Sequence, residues 1–80
     1  MGISQFNNTN VNFVSQDISE QIDGNTINYA VSPFIIRTLM VFWNGIRQSE
    51  TEITVTSNST FTTSFVATAG DSLIATYFKL

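Results

Sequence analysis

The stretch that decides the fold of this chain is Leu39-Met40-Val41-Phe42-Trp43-Asn44-Gly45-Ile46-Arg47-Gln48. Five large apolar residues in succession, residues 39–43, predict a β-strand that is covered on both of its faces. The Asn-Gly pair that follows is the preferred dipeptide of a type I′ hairpin turn, and Ile46 would begin the return strand. The sequence therefore places a central strand and a tight hairpin in the middle of the chain.

Shorter segments on both sides of this stretch alternate apolar and polar residues, which is the pattern of β-strands with one buried face. They lie at residues 11–18, 26–32, 53–56 and 60–66, and residues 72–80 form a second run that is apolar on both faces. Turn sequences separate them, at residues 23–25, 57–59 and 69–71. Residues 19–22 fit either an extension of the first strand or one turn of helix.

Short strands separated by turns at this spacing are typical of sandwiches and barrels. The sequence predicts an all-β fold, a small antiparallel β-sandwich or barrel-like domain of jelly-roll or immunoglobulin-like type, with about six to eight short strands. Residues 1–10 lack periodicity and are predicted to form a flexible N-terminal arm, and residues 11–80 a single domain. The side chains predicted to fill its core are Leu39, Val41, Trp43, Phe61, Phe65, Leu73 and Tyr77.

Composition limits the chemistry that this chain can perform. It has 80 residues, no Cys and no His, which excludes disulfides, thiolate metal sites and the commonest general base. No nucleophile has a base beside it and no opposed carboxylate pair is apparent, so we predict no enzymatic activity, no cofactor and no metal. Asp17, Glu20 and Asp23 could offer oxygens to Ca²⁺, but they lack the spacing of an EF-hand loop, and solvated loop acids are the simpler interpretation.

Charge and size indicate which partners to expect. Six acidic residues against three basic ones give a net charge of −3, which argues against binding to a nucleic-acid backbone. No segment approaches the roughly 20 apolar residues of a membrane span, and the N-terminus has no signal-peptide pattern. A domain this small usually needs a stabilising partner, and without disulfides or metals oligomerisation is the remaining means. We therefore predict a homo-oligomer and no membrane association.

The candidate interface residues are Ile3, Phe6, Phe34, Ile35, Ile36, Arg37 and Arg47. The first two would anchor the N-terminal arm on a neighbouring subunit. The next three follow the only proline and form an apolar connection, which we expect to pack over one end of the core and to contact neighbours. The two arginines flank the central strand, either as solvated charges or as partners for acids of a neighbouring subunit.

Trp43 has two interpretations. It shares its predicted face with Leu39 and Val41, which favours a place in the core. As an exposed platform beside Tyr29 or Tyr77, its ring could instead stack on a sugar.

Several pieces of the sequence, taken in order, resemble the small β-rich modules of tailed-bacteriophage structural proteins. The pieces are residues 13–18, 23–29, 39–48, 53–55 and 69–77. In those modules a hydrophobic strand runs into a V-x-x-N-G-x-x-Q turn, which residues 41–48 match, and a late A-G-D turn, matched at residues 69–71, leads to the final strand. The resemblance covers about residues 11–78.

This resemblance implies a structural role in the virion, after assembly in the host cytoplasm, and supplies no catalytic residues. Such modules occur in tail fibres, in tail or neck proteins and as head decoration. The chain has no collagen-like, coiled-coil or repeated segment, which favours a capsid decoration or cement protein, homotrimeric, that binds between major capsid subunits. A tail, neck or fibre module and a carbohydrate-binding module are the alternatives.

Overall fold

The computed structural model describes residues 12–80. Almost all of the regular structure in this part of the chain is β-strand, with one short 3-10 turn at Ser19–Gln21 directly after the first strand. The strands are β1 (Phe13–Asp17), β2 (Asn28–Ala30), β3 (Met40–Trp43), β4 (Ile46–Arg47), β5 (Ile53–Ser57), β6 (Thr60–Thr63) and β7 (Leu73–Phe78). Each predicted strand is present, although most are shorter than the alternating segments suggested.

Two antiparallel sheets form the domain, one of four strands in the order β1-β7-β3-β4 and one of three in the order β2-β6-β5. The predicted β-sandwich is therefore confirmed. The two doubly apolar runs became β3 and β7, which are the inner strands of the larger sheet and pair with each other. Inner strands have neighbours on both edges and here carry apolar residues on both faces, as the sequence predicted.

The hairpin between β3 and β4 has the predicted geometry. Asn44 and Gly45 both have positive φ, at 51° and 83°, which a type I′ turn requires at its two central positions. Asn tolerates the left-handed region better than other residues with a side chain, and Gly enters it without steric cost. The pair therefore fixes the register of Trp43 opposite Ile46.

The core lies between the two sheets. Its fully or nearly fully buried apolar residues are Ile18, Tyr29, Val31, Phe34, Val41, Phe61, Leu73, Ala75 and Tyr77. Four of the predicted core residues belong to this set, and the other three, Leu39, Trp43 and Phe65, are partly buried against it. Stacked rings of Tyr29 and Phe61, with centroids 5.7 Å apart, join β2 to β6 inside the smaller sheet.

Phe34 corrects one of the sequence predictions. Its side chain is completely buried, and its ring centroid lies 5.7 Å from that of Tyr77. The connection crosses from one sheet to the other at this point: the Phe34 N–H donates to the Asn58 carbonyl at 2.8 Å, while Phe34 also bridges to Lys79 beside β7. A residue tied to both sheets directs its side chain between them, so Phe34 belongs to the core and cannot contact a neighbouring subunit.

Candidate functional site

The outer face of the four-stranded sheet is mostly apolar, with the polar residues Ser15 and Asp17 on the edge strand β1 and Arg47 on the edge strand β4. Its residues follow from the pairing register, because residues that lie opposite one another in an antiparallel pair share a face. On this face are Phe13, Met40, Phe42, Ile74 and Phe78. Phe13 and Phe78 are exposed, with their rings in edge contact at 5.4 Å, and the other three are half-buried. No described residue covers this face with a further layer of secondary structure.

The outer face of the three-stranded sheet is polar by comparison. The residues opposite one another there are Asn28, Ala30, Thr54, Thr60 and Thr62. Polar outward residues are the normal pattern for a sheet that faces water on one side. The two outer faces of the sandwich therefore differ, one being mostly apolar and the other mostly polar.

Thr76 occupies the centre of the apolar face, opposite Ser15 on one side and Met40 on the other. Only 9% of its surface is exposed, and its Oγ1 has no hydrogen-bond partner among the described residues. A buried hydroxyl without a partner costs about 1–3 kcal/mol of stability. This unpaired hydroxyl lies on an inner strand of the sheet, between Ile74 and Phe78 on the same face.

Replacing this hydroxyl with a methyl group is therefore expected to stabilise the protein. Thr76→Val keeps the branched shape that strands favour and removes the unpaired oxygen, so the free energy of unfolding should rise by about 1 kcal/mol. Urea denaturation followed by circular dichroism measures the change. Thr54→Val, at an exposed position on the polar sheet, is the control and should change stability little. A loss of stability in Thr76→Val would mean that the hydroxyl has a partner.

A groove of about 730 Å³ lies on the opposite side of the sandwich from β1 and β2, where β3, β4 and β5 approach one another. Its apolar wall includes Leu39, Val41, Ile53 and Val55. Both arginines of the chain line it: Arg37 at the end formed by the connection before β3, and Arg47 on β4. The structure therefore brings the two candidate interface arginines to one groove, which their separation in sequence did not indicate.

Arg37 has an unusual backbone conformation, with φ at +81°. It stands in the tight turn of residues 35–38, in which the Thr38 N–H donates to the Ile35 carbonyl at 3.1 Å. Positive φ at the third position of such a turn is normally supplied by Gly, and a residue with a side chain pays about 1–3 kcal/mol of strain there. The exposed, cationic side chain of Arg37 therefore stands on a turn whose backbone conformation favours glycine.

The end of the sandwich at the β3–β4 hairpin is organised by Asp71. Its carboxylate accepts hydrogen bonds from Trp43 Nε1 at 3.0 Å, from Asn44 Nδ2 at 3.3 Å and from the Thr68 N–H at 2.9 Å. The Asn44 Oδ1 in turn accepts from the Ser72 N–H at 2.8 Å. Asp71 therefore caps its own turn through Thr68 and joins that turn to the hairpin through Trp43 and Asn44.

The Trp43 side chain packs against the protein and does not form an exposed platform for a ligand. One face of its indole ring is covered by the ring of Phe65, stacked in parallel with centroids 4.0 Å apart. The two tyrosines that could have completed a sugar platform, Tyr29 and Tyr77, are buried, with 2% and 0% of their surface exposed. The interpretation of Trp43 as part of the core is the one that its packing supports.

The hydrogen bonds to Asp71 make stability depend on pH. The Thr68 N–H, then Trp43 and Asn44, favour the ionised carboxylate and hold the pKa of Asp71 below its ordinary value. A lowered pKa in the folded state means that the stabilisation is complete above the unfolded pKa of about 3.9 and is lost as pH falls through the folded pKa. Asp71→Asn should therefore lose less stability than the unchanged protein between about pH 5 and pH 2.

Thermal unfolding across that pH range measures the difference. Some acid sensitivity remains in the variant, because the pKa values of Asp17 and Asp23 are also lowered, by the Ser19 hydroxyl and N–H in the first case and by the Thr26 and Asn25 N–H groups in the second. Identical pH profiles for Asp71→Asn and the unchanged chain would contradict the role given to Asp71.

Two of the three acids considered for calcium, Asp17 and Asp23, accept hydrogen bonds from nearby backbone N–H groups. Asp17 accepts from the Ser19 N–H at 2.9 Å, and Asp23 accepts from the N–H groups of Asn25 and Thr26 at 2.9 and 2.6 Å. Within residues 12–80 no group of three or more acidic, His or Cys residues could hold a metal ion. In the same part of the chain no helix has the length and apolar character needed to cross a bilayer.

The structure places the predicted interface residues in different environments. Ile35 and Ile36 are exposed, at 46% and 49%, and Arg37 and Arg47 line the groove. Phe34 is in the core, as described above. Ile3 and Phe6 lie outside the described residues, so their role stays a prediction. The apolar outer face was missed, because the pairing that aligns Phe13, Met40 and Ile74 cannot be obtained from one sequence.

Comparisons of the chain with protein-family models, with curated proteins and with solved structures found no match.

Proposed function

We propose that this chain is a structural protein that works by binding other protein subunits, and that its specific role is that of a bacteriophage capsid decoration or cement protein. The observation that carries the first part is the contrast between the two outer faces of the sandwich. One is built from Thr, Asn and Ala. The other has Phe, Met and Ile around a buried Thr, with Ser15, Asp17 and Arg47 on its edge strands.

The apolar outer face suits a partner of matching character. Five large apolar side chains lie together there, two of them phenylalanines more than a third exposed. Burial of apolar surface is the main source of free energy in protein association, and aromatic residues and Met are enriched in interface centres. We assign this face to a neighbouring virion subunit, namely the major capsid protein, with the other copies of a homotrimer as additional contacts.

The virion part of the proposal is supported by the resemblance of residues 41–48 and 69–71 to the turns of phage structural modules. In the structure these two turns lie side by side, because Asn44 and Asp71 are hydrogen-bonded to each other. Low charge also agrees with a protein that sits between subunits, since interface centres are depleted in charged residues. Tail, neck or fibre is the alternative location within a virion.

Co-sedimentation tests the proposal. The purified chain is mixed with capsids assembled from the major capsid protein encoded by the same genome, and the pelleted fraction is measured. We expect saturable binding that Phe13→Lys weakens and Thr54→Lys, its counterpart on the polar face, leaves intact. Analytical ultracentrifugation of the chain alone reports the oligomeric state, for which we expect a trimer.

A chain that does not pellet with such capsids is not a decoration protein. If it also stays monomeric and both lysine variants behave alike, the apolar face is not an interface and the wider proposal fails. Binding to isolated tails or fibres instead of capsids would move the protein to the alternative location.

A further inference from the structure

The edge of β3 that faces the groove is only partly paired. β4 has two residues, which lie opposite Phe42 and Trp43, and the Gln48 N–H then donates to the Val41 carbonyl at 2.8 Å. Beyond that bond no strand among residues 12–80 runs beside Leu39 and Met40 on this side. Backbone N–H and C=O groups of one strand residue point to the same side, so Leu39, directly before β3, directs both of its groups toward the groove. Val41 directs its N–H to the same side, and its C=O is the group bonded to Gln48.

A strand placed along this edge would have apolar side chains of the groove on one face and a cationic side chain on the other. Toward the interior lie the apolar side chains of Leu39, Val41, Ile53 and Val55. Toward the outside lies Arg47, which shares the outer face of the sheet with its partner Phe42. An added strand would therefore place every second side chain on an apolar wall and the others toward cationic groups.

The charge of the groove is opposite to that of the chain. Two of the three basic residues line it, against one acid, Glu50, while the whole chain carries a net charge of −3. Neither Arg37 nor Arg47 forms a side-chain hydrogen bond or an ion pair with another described residue. The guanidinium of Arg37 is moreover held on a strained turn where glycine would be easier to accommodate. Both arginines are thus available to carboxylates of a partner.

We propose that the groove binds an extended segment of another protein, with alternating acidic and apolar residues, by adding it as a strand to the free edge of β3. Strand addition supplies backbone hydrogen bonds, and the alternate side chains supply specificity. The apolar side chains would enter the hollow beside Val41 and Ile53, and the carboxylates would meet Arg37 and Arg47. The groove adjoins the apolar sheet face, with which it shares Met40 and Phe78, and the inference does not depend on the virion role.

A capped pentapeptide of sequence Glu-Val-Glu-Val-Glu is the probe, and isothermal titration calorimetry with the full chain measures its affinity. Arg37→Gln and Arg47→Gln should each weaken binding about tenfold, since each removes a charge-assisted hydrogen bond. Lys79→Gln removes the third cation, which lies outside the groove, and should leave binding unchanged. Added salt should weaken binding to the unchanged chain.

Two control peptides separate charge from pattern. Gln-Val-Gln-Val-Gln has the same shape without carboxylates, and Glu-Glu-Val-Val-Glu has the same composition without the alternation. Both should bind at least tenfold more weakly than the probe. Equal affinity for all three peptides, or equal affinity of the chain and its two arginine variants, would overturn the proposal.

Hydrogen exchange of the full chain tests the strand pairing. The probe should slow exchange of the Leu39 and Val41 backbone amides and leave exchange at the other free edge, β1, unchanged. Slow exchange at Leu39 and Val41 before any peptide is added would overturn the proposal, because another segment of the chain or a second copy would then occupy the edge.

Arg37→Gly separates the effect of Arg37 on peptide binding from its effect on protein stability. Glycine adopts the positive φ of this turn without strain, so the thermal midpoint should rise, while affinity for the probe should fall as in Arg37→Gln. An Arg37→Gly variant that binds the probe as tightly as the unchanged chain would contradict a role for the guanidinium.

Discussion

Phe34→Ala is expected to cost about 3–5 kcal/mol of unfolding free energy, because it removes a fully buried ring at the point where the chain crosses between the two sheets. The cavity would lie against Tyr77, whose ring is 5.7 Å away and which is itself fully buried. For a chain of 80 residues the whole stability is on the order of 4–12 kcal/mol. The variant should therefore be marginally folded or unfolded at room temperature.

Urea titration followed by circular dichroism and by Trp43 fluorescence measures this loss. Ile36→Ala, two positions further along the same connection, is the matched control. Its side chain is 49% exposed, so its removal should change stability by no more than about 0.5 kcal/mol. A Phe34→Ala protein as stable as Ile36→Ala would contradict the place of Phe34 in the core.

Trp43→Ala is the second large loss that we expect, about 2–4 kcal/mol. The indole of Trp43 stacks in parallel on Phe65 at 4.0 Å, and its Nε1 donates to Asp71 at 3.0 Å. Removing it opens the end of the sandwich and leaves Asp71 without one of its donors. The loss falls below that of a fully buried Trp because part of the ring still faces solvent.

Trp43→Phe separates the two contributions to this loss. It retains a smaller aromatic ring beside Phe65 and loses the donor to Asp71, so it should destabilise less than Trp43→Ala. Phe65→Ala, which keeps the donor but removes the stacking, should expose the indole and shift its emission to longer wavelength. If that variant and the unchanged protein had the same emission and stability, the stacked pair would have no structural role.

The same measurements bear on the sugar-platform interpretation of Trp43. With one ring face against Phe65 and the indole N–H already donated, little of the side chain is left for a ligand. Titration with glycans should leave the Trp43 fluorescence of the unchanged chain as it is. Saturable quenching by a glycan would favour the carbohydrate-binding alternative.

Local patterns in the sequence predicted much of the secondary structure. The alternation in residues 53–56 and 60–66 became β5 and β6, and the Asn44-Gly45 dipeptide became the type I′ turn with both φ angles positive. These features depend on the residues themselves: side-chain direction alternates along a strand, and only a few residue types tolerate positive φ. Neighbours in sequence were sufficient to predict them.

Long-range pairing decided what the local patterns could not. Trp43 and Asp71 are 28 residues apart, and they meet because Trp43 lies opposite Leu73 when β3 pairs with β7. Arg37 and Arg47 share a groove because β4 is too short to cover the edge of β3. Neither proximity has a signal in the spacing of residues along one sequence.

Local sequence was enough to predict an all-β chain, the position of its hairpin turn and the central place of β3 and β7, because hydrophobic period and turn chemistry are properties of short segments. The burial of Phe34, the common face of Phe13, Met40 and Ile74, and the groove shared by the two arginines became evident only in the folded chain. The physical reason is that burial and proximity arise from which strands pair and in what register, and a shift of one residue would exchange the two faces of a strand.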